Sequence, residues 1–442
     1  MPSTLTISNV HLPGTGTEPD NNLYTVVCGD AQIVSINAFE PDATHSHSDW
    51  VDANGGLLIP SLCHSHIHLD KCYLLEREHN IKTGTFDEAL QVTSQAKAKF
   101  TSDDLLARGR RLIQESILFG VTCMRAHVEV DDIVQYQCLD AAVQLKREFA
   151  NSCDILISVF AQDPFWKSDD VNQSANLTYL RESCLRTPEI TSIGSAPYVE
   201  NSPEKSIRNI QAVVDIAIQH NLHLDFHLDY NLSESSKPMI FDVISELNRV
   251  QWSQRMPTKH ITIGHATRLT LLDDGQLREL RRAIGTLPTS FVGLPQSDVY
   301  IMGRGDSRAP RGTLNVPILK REYDLDVAIA VNNVGNAFTP QGGPDPLSLC
   351  PLGVALYQAS TPADCHSLLE AVSIDSHRAV GHKCAASLRV KKGDPSDVLI
   401  LHGTRQSSIT QVVLAPSVTR TTIKNGRIVA KRTVIDHLVQ DT

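Results

Sequence analysis

The sequence predicts an α/β fold: a (β/α)8 TIM barrel that carries a small β-sandwich domain formed from both chain termini. Three observations support this prediction. Strands alternate with helices through the middle of the chain, both ends are rich in β-like segments, and histidines recur where predicted strands end. With 442 residues, 41% of them hydrophobic, the chain is long enough for one large core and one smaller domain.

The β-sandwich is predicted from short β-like runs near the two termini. These runs cover residues 5–7, 24–27, 32–36, 397–401 and 418–429. Within the last run, Asn425-Gly426 stands between β-branched residues, which is a signal for a β-hairpin. We therefore expect residues 1–60 and 385–442 to form the two parts of the sandwich, and residues 61–384 to form the barrel.

The barrel is predicted from the middle of the chain, where strand-like and helical segments alternate. Strand-like runs cover residues 121–128, 155–160, 222–227, 260–265, 289–294 and 327–331. Helical patterns lie between them, and repeated βα units over about 320 residues favour a closed barrel over an open doubly wound sheet. The chain has no Walker loop and no Gly-x-Gly-x-x-Gly after a strand, so nucleotide-binding folds lack support.

Composition and charge narrow the class of protein. A net charge of −10 without a Lys/Arg cluster argues against a nucleic-acid partner or an anionic membrane surface. We expect neither a signal peptide nor a membrane span. The ten cysteines are scattered without a Cys-x-x-Cys, which predicts reduced thiols in a cytoplasmic protein. The expected partner is a small-molecule substrate, and the sequence leaves a homo-oligomer open.

The most informative segment is 63–71, Cys-His-Ser-His-Ile-His-Leu-Asp-Lys. Alternate residues of a strand share a face, so His64, His66 and His68 should point the same way, with Asp70 next in line. Neutral imidazoles at this spacing bind one transition-metal ion. A strand whose histidines are satisfied by hydrogen bonds is the alternative.

Polar side chains also stand at the C-terminal ends of later strands, where a TIM barrel carries its chemistry. The residues at these ends are His66, His68, His127, Gln162, His227, His265 and Asn332. A buried strand has little reason to end in histidine unless that end faces a polar site. We predict a shared metal pocket for four of them: His66, His68, His227 and His265.

These motifs resemble those of the amidohydrolase superfamily, and within it the cytosine deaminase-like branch, over nearly the whole chain. The matching segments are 52–60, 66–71 (His-Ile-His-Leu-Asp-Lys), 160–162 (Phe-Ala-Gln), 226–229 (Phe-His-Leu-Asp), 264–267 (Gly-His-Ala-Thr), 294–297 (Leu-Pro-Gln-Ser) with 302–304, and 350–353 (Cys-Pro-Leu-Gly). The resemblance implies the barrel, the terminal β-sandwich and one catalytic divalent metal ion, zinc or iron.

The resemblance also implies roles for individual residues. His66, His68 and His227 would hold the metal ion, which activates water. His265 would stabilise the charge that develops on the reacting oxygen. Gln162 would orient the substrate.

Two positions depart from the family pattern. Tyr230 stands where the family has a proton-shuttling glutamate, and Asn332 stands where the last strand usually ends in a proton-accepting aspartate. Asparagine is neutral, and tyrosine, with an ordinary pKa of about 10, is a poor base near pH 7. Losing general acid–base catalysis typically costs ~10²–10⁴ in rate. The candidate catalytic residues are His265, Tyr230 and Asn332. Tyr230 is a poor base, but it could donate a proton to the leaving nitrogen.

Other charged residues have open roles. Asp229, Glu200 or Asp345 could substitute for the missing carboxylate, or each could be a solvated or helix-capping group. Lys71 could contact a substrate oxygen or pair with an acid at the rim, and Asp70 is grouped with it as a candidate substrate contact.

The sequence leaves three functions open. The leading hypothesis is hydrolysis of a C–N bond in a small nitrogen heterocycle, by deamination or by amide or amidine cleavage, with a metal-activated water. The second is a repurposed isomerase, dehydratase or cyclase that uses His265 and Tyr230 as an acid–base pair, with the metal weakly bound or absent. The third is a non-catalytic homologue that keeps the barrel.

Overall fold

The computed structural model describes residues 4–14, 20–41, 49–77, 81–167, 174–403, 408–435 and 437–438. They form an eight-stranded parallel sheet surrounded by helices and a separate seven-stranded sheet built from both termini. The predicted fold class is confirmed.

The strands divide between these two sheets. The terminal sheet contains β1 (Leu5–His11), β2 (Leu23–Cys28), β3 (Ile33–Ala38), β4 (Trp50–Pro60), β13 (Val398–Leu401), β14 (Arg420–Lys424) and β15 (Arg427–Arg432). The barrel contains β5 (Leu62–His68), β6 (Val121–Glu129), β7 (Asp154–Ala161), β8 (Ile190–Ser195), β9 (His223–Leu228), β10 (Ile261–His265), β11 (Thr289–Gly293) and β12 (Val327–Ile329).

Most of the helices lie between barrel strands or after the last one. They are α1 (Phe86–Lys97), α2 (Ser102–Leu118), α3 (Gln137–Glu148), α4 (Ala175–Arg186), α5 (Pro203–His220), α6 (Ile240–Arg249), α7 (Trp252–Arg255), α8 (Asp274–Ile284), α9 (Pro295–Ile301), α10 (Val316–Tyr323), α11 (Leu349–Tyr357), α12 (Pro362–Val372), α13 (Ile374–Ala379) and α14 (Ile409–Leu414). In the described residues, no helix combines the length and the apolar character needed to cross a bilayer.

Strand order in the barrel follows the chain from β5 to β12. The seam between β12 and β5 closes just beyond β12, where Asn332 bridges Ile67. The Asn332 N–H donates to the carbonyl of His66 at 3.1 Å, and its carbonyl accepts from the His68 N–H at 2.9 Å. Barrel closure therefore fixes Asn332 beside the two histidines of β5.

The strand β8 is the barrel strand that sequence patterning missed. Only Ile190 and Ile193 are large apolar residues among its six. Its glycine, Gly194, has a packing reason, because a Cβ there would lie 1.7 Å from the carbonyl oxygen of Asp225 on the neighbouring β9. Close approach of the two strands thus requires a residue that weakens the strand signal.

A register shift in β5 overturns the prediction that His64 shares a face with His66 and His68. Between His64 and Ile67, β5 has one more residue than its partner β6, so the alternation is interrupted. The Nε2 atom of His64 lies 3.1 Å from the hydroxyl of Ser116 on α2, outside the barrel. His64 is therefore a buried structural residue.

The terminal sheet has the strand order β15-β14-β13-β4-β1-β2-β3 and so joins both ends of the chain. The predicted hairpin joins β14 to β15, with positive φ at Asn425 (48°) and Gly426 (70°). The predicted boundary between residues 60 and 61 falls between β4 and β5, and that between 384 and 385 falls between α13 and β13. The cysteines are all free, and most are buried.

Candidate active site

Three buried histidines converge at the C-terminal end of the barrel. His66, His68 and His227 each place one ring nitrogen within 4.8 Å of the others. The Nε2 atoms of His68 and His227 are 3.1 Å apart, and neither ring nitrogen of His66 has a hydrogen-bond partner in the described residues. Burial, reinforced by neighbouring positive or protonatable groups, holds the pKa of all three well below the ordinary value, so the rings are neutral. Neutral imidazole is the form that binds a metal.

A second buried group lies beside His66. The carboxylate of Asp225, on β9, has Oδ1 4.0 Å from His66 Nδ1 and 3.8 Å from His127 Nε2, while Oδ2 accepts from Arg125 at 3.0 Å. Burial raises the pKa of Asp225 to about 7, against the opposing effect of Arg125. Sequence reasoning missed Asp225, although its position two residues before His227 places it on the same face of β9.

His265 forms a pair with Asp298, a residue that the sequence analysis did not single out. The Nδ1 atom of His265 lies 3.0 Å from Oδ1 of Asp298 on α9. The other carboxylate oxygen of Asp298 accepts from the Leu294 N–H at 3.0 Å and from the Thr313 hydroxyl at 3.1 Å. Burial raises the pKa of Asp298, which the hydrogen bond from His265 opposes. These contacts fix the orientation of the His265 ring.

The two residues that depart from the family pattern both line the site. The ring of Tyr230 lies 3.8 Å from that of His265, and its buried hydroxyl has no partner in the described residues. Burial raises the pKa of Tyr230 well above 10, so the phenol stays protonated. Asn332 donates to the Ser297 hydroxyl at 2.7 Å, while its Oδ1 has no described partner.

These groups surround a small cavity at the barrel mouth. Its lining residues are His68, Lys71, Phe86, Gln162, Tyr198, His227, Tyr230, His265, Asn332, Asn333 and Phe338. Aromatic side chains form part of the wall, and no carboxylate is among the described residues that line it. Asp298 and Glu129 therefore influence the cavity only through His265 and Lys71, the lining side chains that they contact.

The candidate substrate-binding residues differ in whether they line the cavity. Gln162 and Lys71 line the cavity, whereas Asp70 does not. The ammonium of Lys71 lies 3.1 Å from Glu129, which also accepts from Lys97 at 2.5 Å. The carboxylate of Asp70 accepts from the Glu129 N–H at 2.7 Å, so it supports the end of β6 that carries Glu129.

The three carboxylates considered as substitutes for the missing aspartate lie away from the cavity lining. Asp229 accepts two backbone N–H groups at the start of α6. Glu200 accepts from the side-chain amide of Asn209 at 2.8 Å. Asp345 pairs with both terminal nitrogens of Arg420. Each has a structural role in this conformation.

Comparison with known proteins places the chain near deaminases and amidohydrolases. No family model matches it. It is 22% identical over 395 residues to a pterin deaminase of Rhizobium rhizogenes, covering 88% of this chain and 84% of that protein. It is 21% identical over 441 residues to N-isopropylammelide isopropyl amidohydrolase of a Pseudomonas species, covering 98% of each.

Solved structures show the same fold. The 5-methylcytosine deaminase of Klebsiella pneumoniae liganded with phosphonocytosine superposes with a TM-score of 0.83 at 24% identity, covering 98% of this chain and 100% of that chain. An adenosine deaminase of Xanthomonas campestris, with a TM-score of 0.69 at 16% identity, contains bound zinc; the two chains are covered to 98% and 94%. The relatives are hydrolytic enzymes that act on C–N bonds.

Proposed function

We propose that this chain is a metal-dependent hydrolase of a C–N bond in a small nitrogen heterocycle, because its relatives and structural neighbours are amidohydrolase-superfamily enzymes matching the cytosine deaminase-like branch. The family predicted from the motifs is thereby confirmed. The observation that carries the proposal for this chain is the convergence of three neutral histidines whose ring nitrogens lie within 4.8 Å of one another at the barrel mouth.

The residues present fit a metal ion. His66, His68 and His227 offer a neutral three-nitrogen set, and His66 has two buried ring nitrogens that lack a described partner. Leaving such atoms unpaired is costly unless a ligand satisfies them. When bound, a zinc or iron ion supplies Lewis acidity that makes a water easier to deprotonate. A histidine set with a vacant coordination position is typical of catalytic zinc sites.

The proton of the attacking water has an acceptor in His265. Because Nδ1 of His265 donates to Asp298 at 3.0 Å, Nε2 is left as the nitrogen with a free lone pair. Asp298 also stabilises the imidazolium that forms when Nε2 takes a proton. Asp298, acting through His265, thus takes the place of the carboxylate that is missing at Asn332.

Tyr230 acts as the acid. Its phenol is protonated at neutral pH and contacts the His265 ring, so it donates a hydrogen bond or a proton to the departing nitrogen. Asn332 presents Oδ1 as a neutral acceptor for a substrate N–H or for the water. Gln162 and Lys71 bind polar atoms on the ring, and Phe86 and Phe338 cover its faces.

Release of ammonia or an amine tests the proposal. The zinc-loaded protein is incubated with aminopyrimidines, aminopterins and amino-substituted triazines, and released ammonia or amine is measured. His227→Gln is the matched control because it removes one ligand and keeps a polar side chain. We expect release from at least one ring class and its loss in the control. No release by a protein with a full complement of zinc at the mouth would contradict the proposal.

A second candidate is a non-hydrolytic isomerase, dehydratase or cyclase. It is favoured by one observation, the absence of a carboxylate among the described lining residues. The double variant Tyr230→Glu with Asn332→Asp separates the two functions. A hydrolase keeps or gains hydrolytic activity with both changes, whereas a repurposed enzyme gains hydrolysis while losing its own reaction.

A further inference from the structure

A second cluster of metal-binding side chains lies at the opposite end of the barrel. Cys63 is the second residue of β5, and Cys123, its register partner, is the third residue of β6. Both side chains are fully buried. Cys63 precedes His66, the nearest mouth ligand on β5, by three positions, about 10 Å at 3.3 Å per residue. This basal cluster is therefore distinct from the candidate active site.

His377 belongs to the basal cluster, and His382 adjoins it. The Sγ atoms of Cys63 and Cys123 and one ring nitrogen of His377, on α13, all lie within 4.8 Å of one another. The Nδ1 atom of His382, just after α13, lies 3.1 Å from Nδ1 of His377. In a tetrahedral zinc site with Zn–N bonds of about 2.0–2.1 Å, two ligating nitrogens are about 3.3 Å apart. The observed spacing matches this value closely.

The outer contacts of the histidines suit ligation through Nδ1. The Nε2 atom of His382 lies 3.0 Å from Asp154, which Lys424 holds at 2.6 Å. A carboxylate behind a histidine fixes the tautomer and orients the ring in metal sites. The Nε2 atom of His377 faces the Ser61 hydroxyl at 3.5 Å. The Nδ1 atoms, 3.1 Å apart, are then the nitrogens left for an ion.

We propose that Cys63, Cys123, His377 and His382 form a closed structural site for a thiophilic divalent ion of the zinc class. Two thiolates and two imidazoles are a tetrahedral donor set for zinc, and thiolate ligands discriminate against magnesium and calcium. The ion ties β5 and β6 to α13, which follows the last barrel strand. It therefore reinforces the seam between β12 and β5, which closes just beyond β12 through the bridge between Ile67 and Asn332.

Cobalt substitution tests the site by a signal that the active site does not produce. Apoprotein is titrated with Co²⁺, and absorption is read for thiolate-to-cobalt charge transfer, with bound cobalt counted per chain. The mouth offers nitrogen ligands, so this band reports the basal cluster. We expect the band in the wild type and in His227→Gln, and its loss in Cys63→Ser with Cys123→Ser. Cys138→Ser, a buried cysteine of α3 outside the cluster, is the matched control that keeps the band.

Asp154→Asn tests the site without removing a ligand and without creating a cavity in the core. Asp154 is partly exposed, and Lys424 keeps a second partner in Asp397 at 3.0 Å. We expect the thiolate band to persist while Co²⁺ affinity falls by about 10–100-fold, the usual cost of an outer carboxylate. Unchanged affinity would overturn the proposal, as would a wild type that binds cobalt without the thiolate band or that forms a Cys63–Cys123 disulfide. This test is independent of whether the mouth hydrolyses any substrate.

Discussion

The two ends of the barrel offer different donors, and β5 contributes to both ends. At the mouth, β5 and β9 present neutral imidazoles, and the loops after β9 and β12 add Tyr230 and Asn332. Several polar atoms there have no described partner. At the base, β5 and β6 present two thiols backed by imidazoles that are anchored to Asp154 and Ser61. Open donor sets are typical of catalytic metal sites and closed ones of structural metal sites.

At the mouth, the described carboxylates lie behind the cavity wall and act through the side chains that line it. Asp298 lies behind His265, and Glu129 lies behind Lys71. A carboxylate behind an imidazole raises its basicity without occupying space that the substrate needs. The substitution at Asn332 is therefore compatible with a working proton path.

The largest expected effect is loss of the ion at the mouth. His227→Gln should lower the rate of C–N hydrolysis by roughly 10⁴-fold or more, because Lewis-acid activation is worth several kcal/mol and each 1.4 kcal/mol is tenfold. Steady-state rates together with metal analysis provide the measurement. The variant should retain the ion at the base, so one metal equivalent should remain. Loss of both ions would show that the two ends are not independent.

Removing the carboxylate behind His265 ranks next. Asp298→Asn should lower kcat by about 10³-fold, since proton transfer by a positioned base contributes ~10²–10⁴. KM should change little because Asp298 does not line the cavity. Thr313→Val, which removes one hydrogen-bond donor to Asp298, is the control and should cost far less. Equal losses in the two variants would indicate a packing role instead.

Breaking the charge pair behind Lys71 should chiefly affect stability. Burial opposes ionisation of Glu129, but Lys71 and Lys97 outweigh it and hold its pKa at about 2. Glu129→Gln should lower the free energy of unfolding by about 3–5 kcal/mol at pH 7, as expected when a buried ion pair loses one member. Urea denaturation measures this value.

The pH dependence of that loss has a defined sign. A carboxyl pKa depressed in the folded state contributes stability above its unfolded value of about 4.3, and this contribution disappears as pH falls through about 2. The difference between Glu129→Gln and the wild type should therefore shrink as pH is lowered across that interval. Glu148→Gln, which breaks an exposed pair with Arg110, is the control and should cost at most about 1 kcal/mol. A loss for Glu129→Gln no larger than this would contradict its structural role.

Much of the fold was predictable because it depends on local patterns. Alternating strands and helices gave the barrel, and the Asn425-Gly426 turn gave the terminal hairpin. The strand β8 was missed because it contains Gly194, which weakens the strand signal. The glycine is required by the close approach of β9, and this tertiary contact is not visible in the local sequence. His64 was misplaced because a register shift interrupts β5, and no sequence pattern reports a bulge inside a histidine-rich run.

The site residues at strand ends could be predicted from the sequence, whereas the residues that contact them from behind could not. His66, His68, His227 and His265 follow apolar runs, so their position at the barrel mouth is visible in the chain. Asp298 lies in a helix after β11, and its contact with His265 depends on how that helix packs. The pairing of Cys63 with Cys123 depends likewise on strand register.

The smallest expected effect is on metal affinity at the mouth. Asn332→Asp places a negative charge where the unpartnered amide oxygen now lies, so zinc affinity should rise by about tenfold. Competition with a chelator measures the change. Asn333→Asp is the matched control, since its side chain already accepts from Asn336 at 2.7 Å. An equal gain in both variants would mean that net charge, and not ligation, is responsible.

Anomalous diffraction from crystals of the zinc-loaded protein tests the metal centre at the barrel mouth most directly. We expect a peak at the mouth about 2.0–2.1 Å from one ring nitrogen each of His66, His68 and His227. A fully loaded protein with no peak there, or with its ion held by His127 and Asp225 in place of His68 and His227, would contradict it.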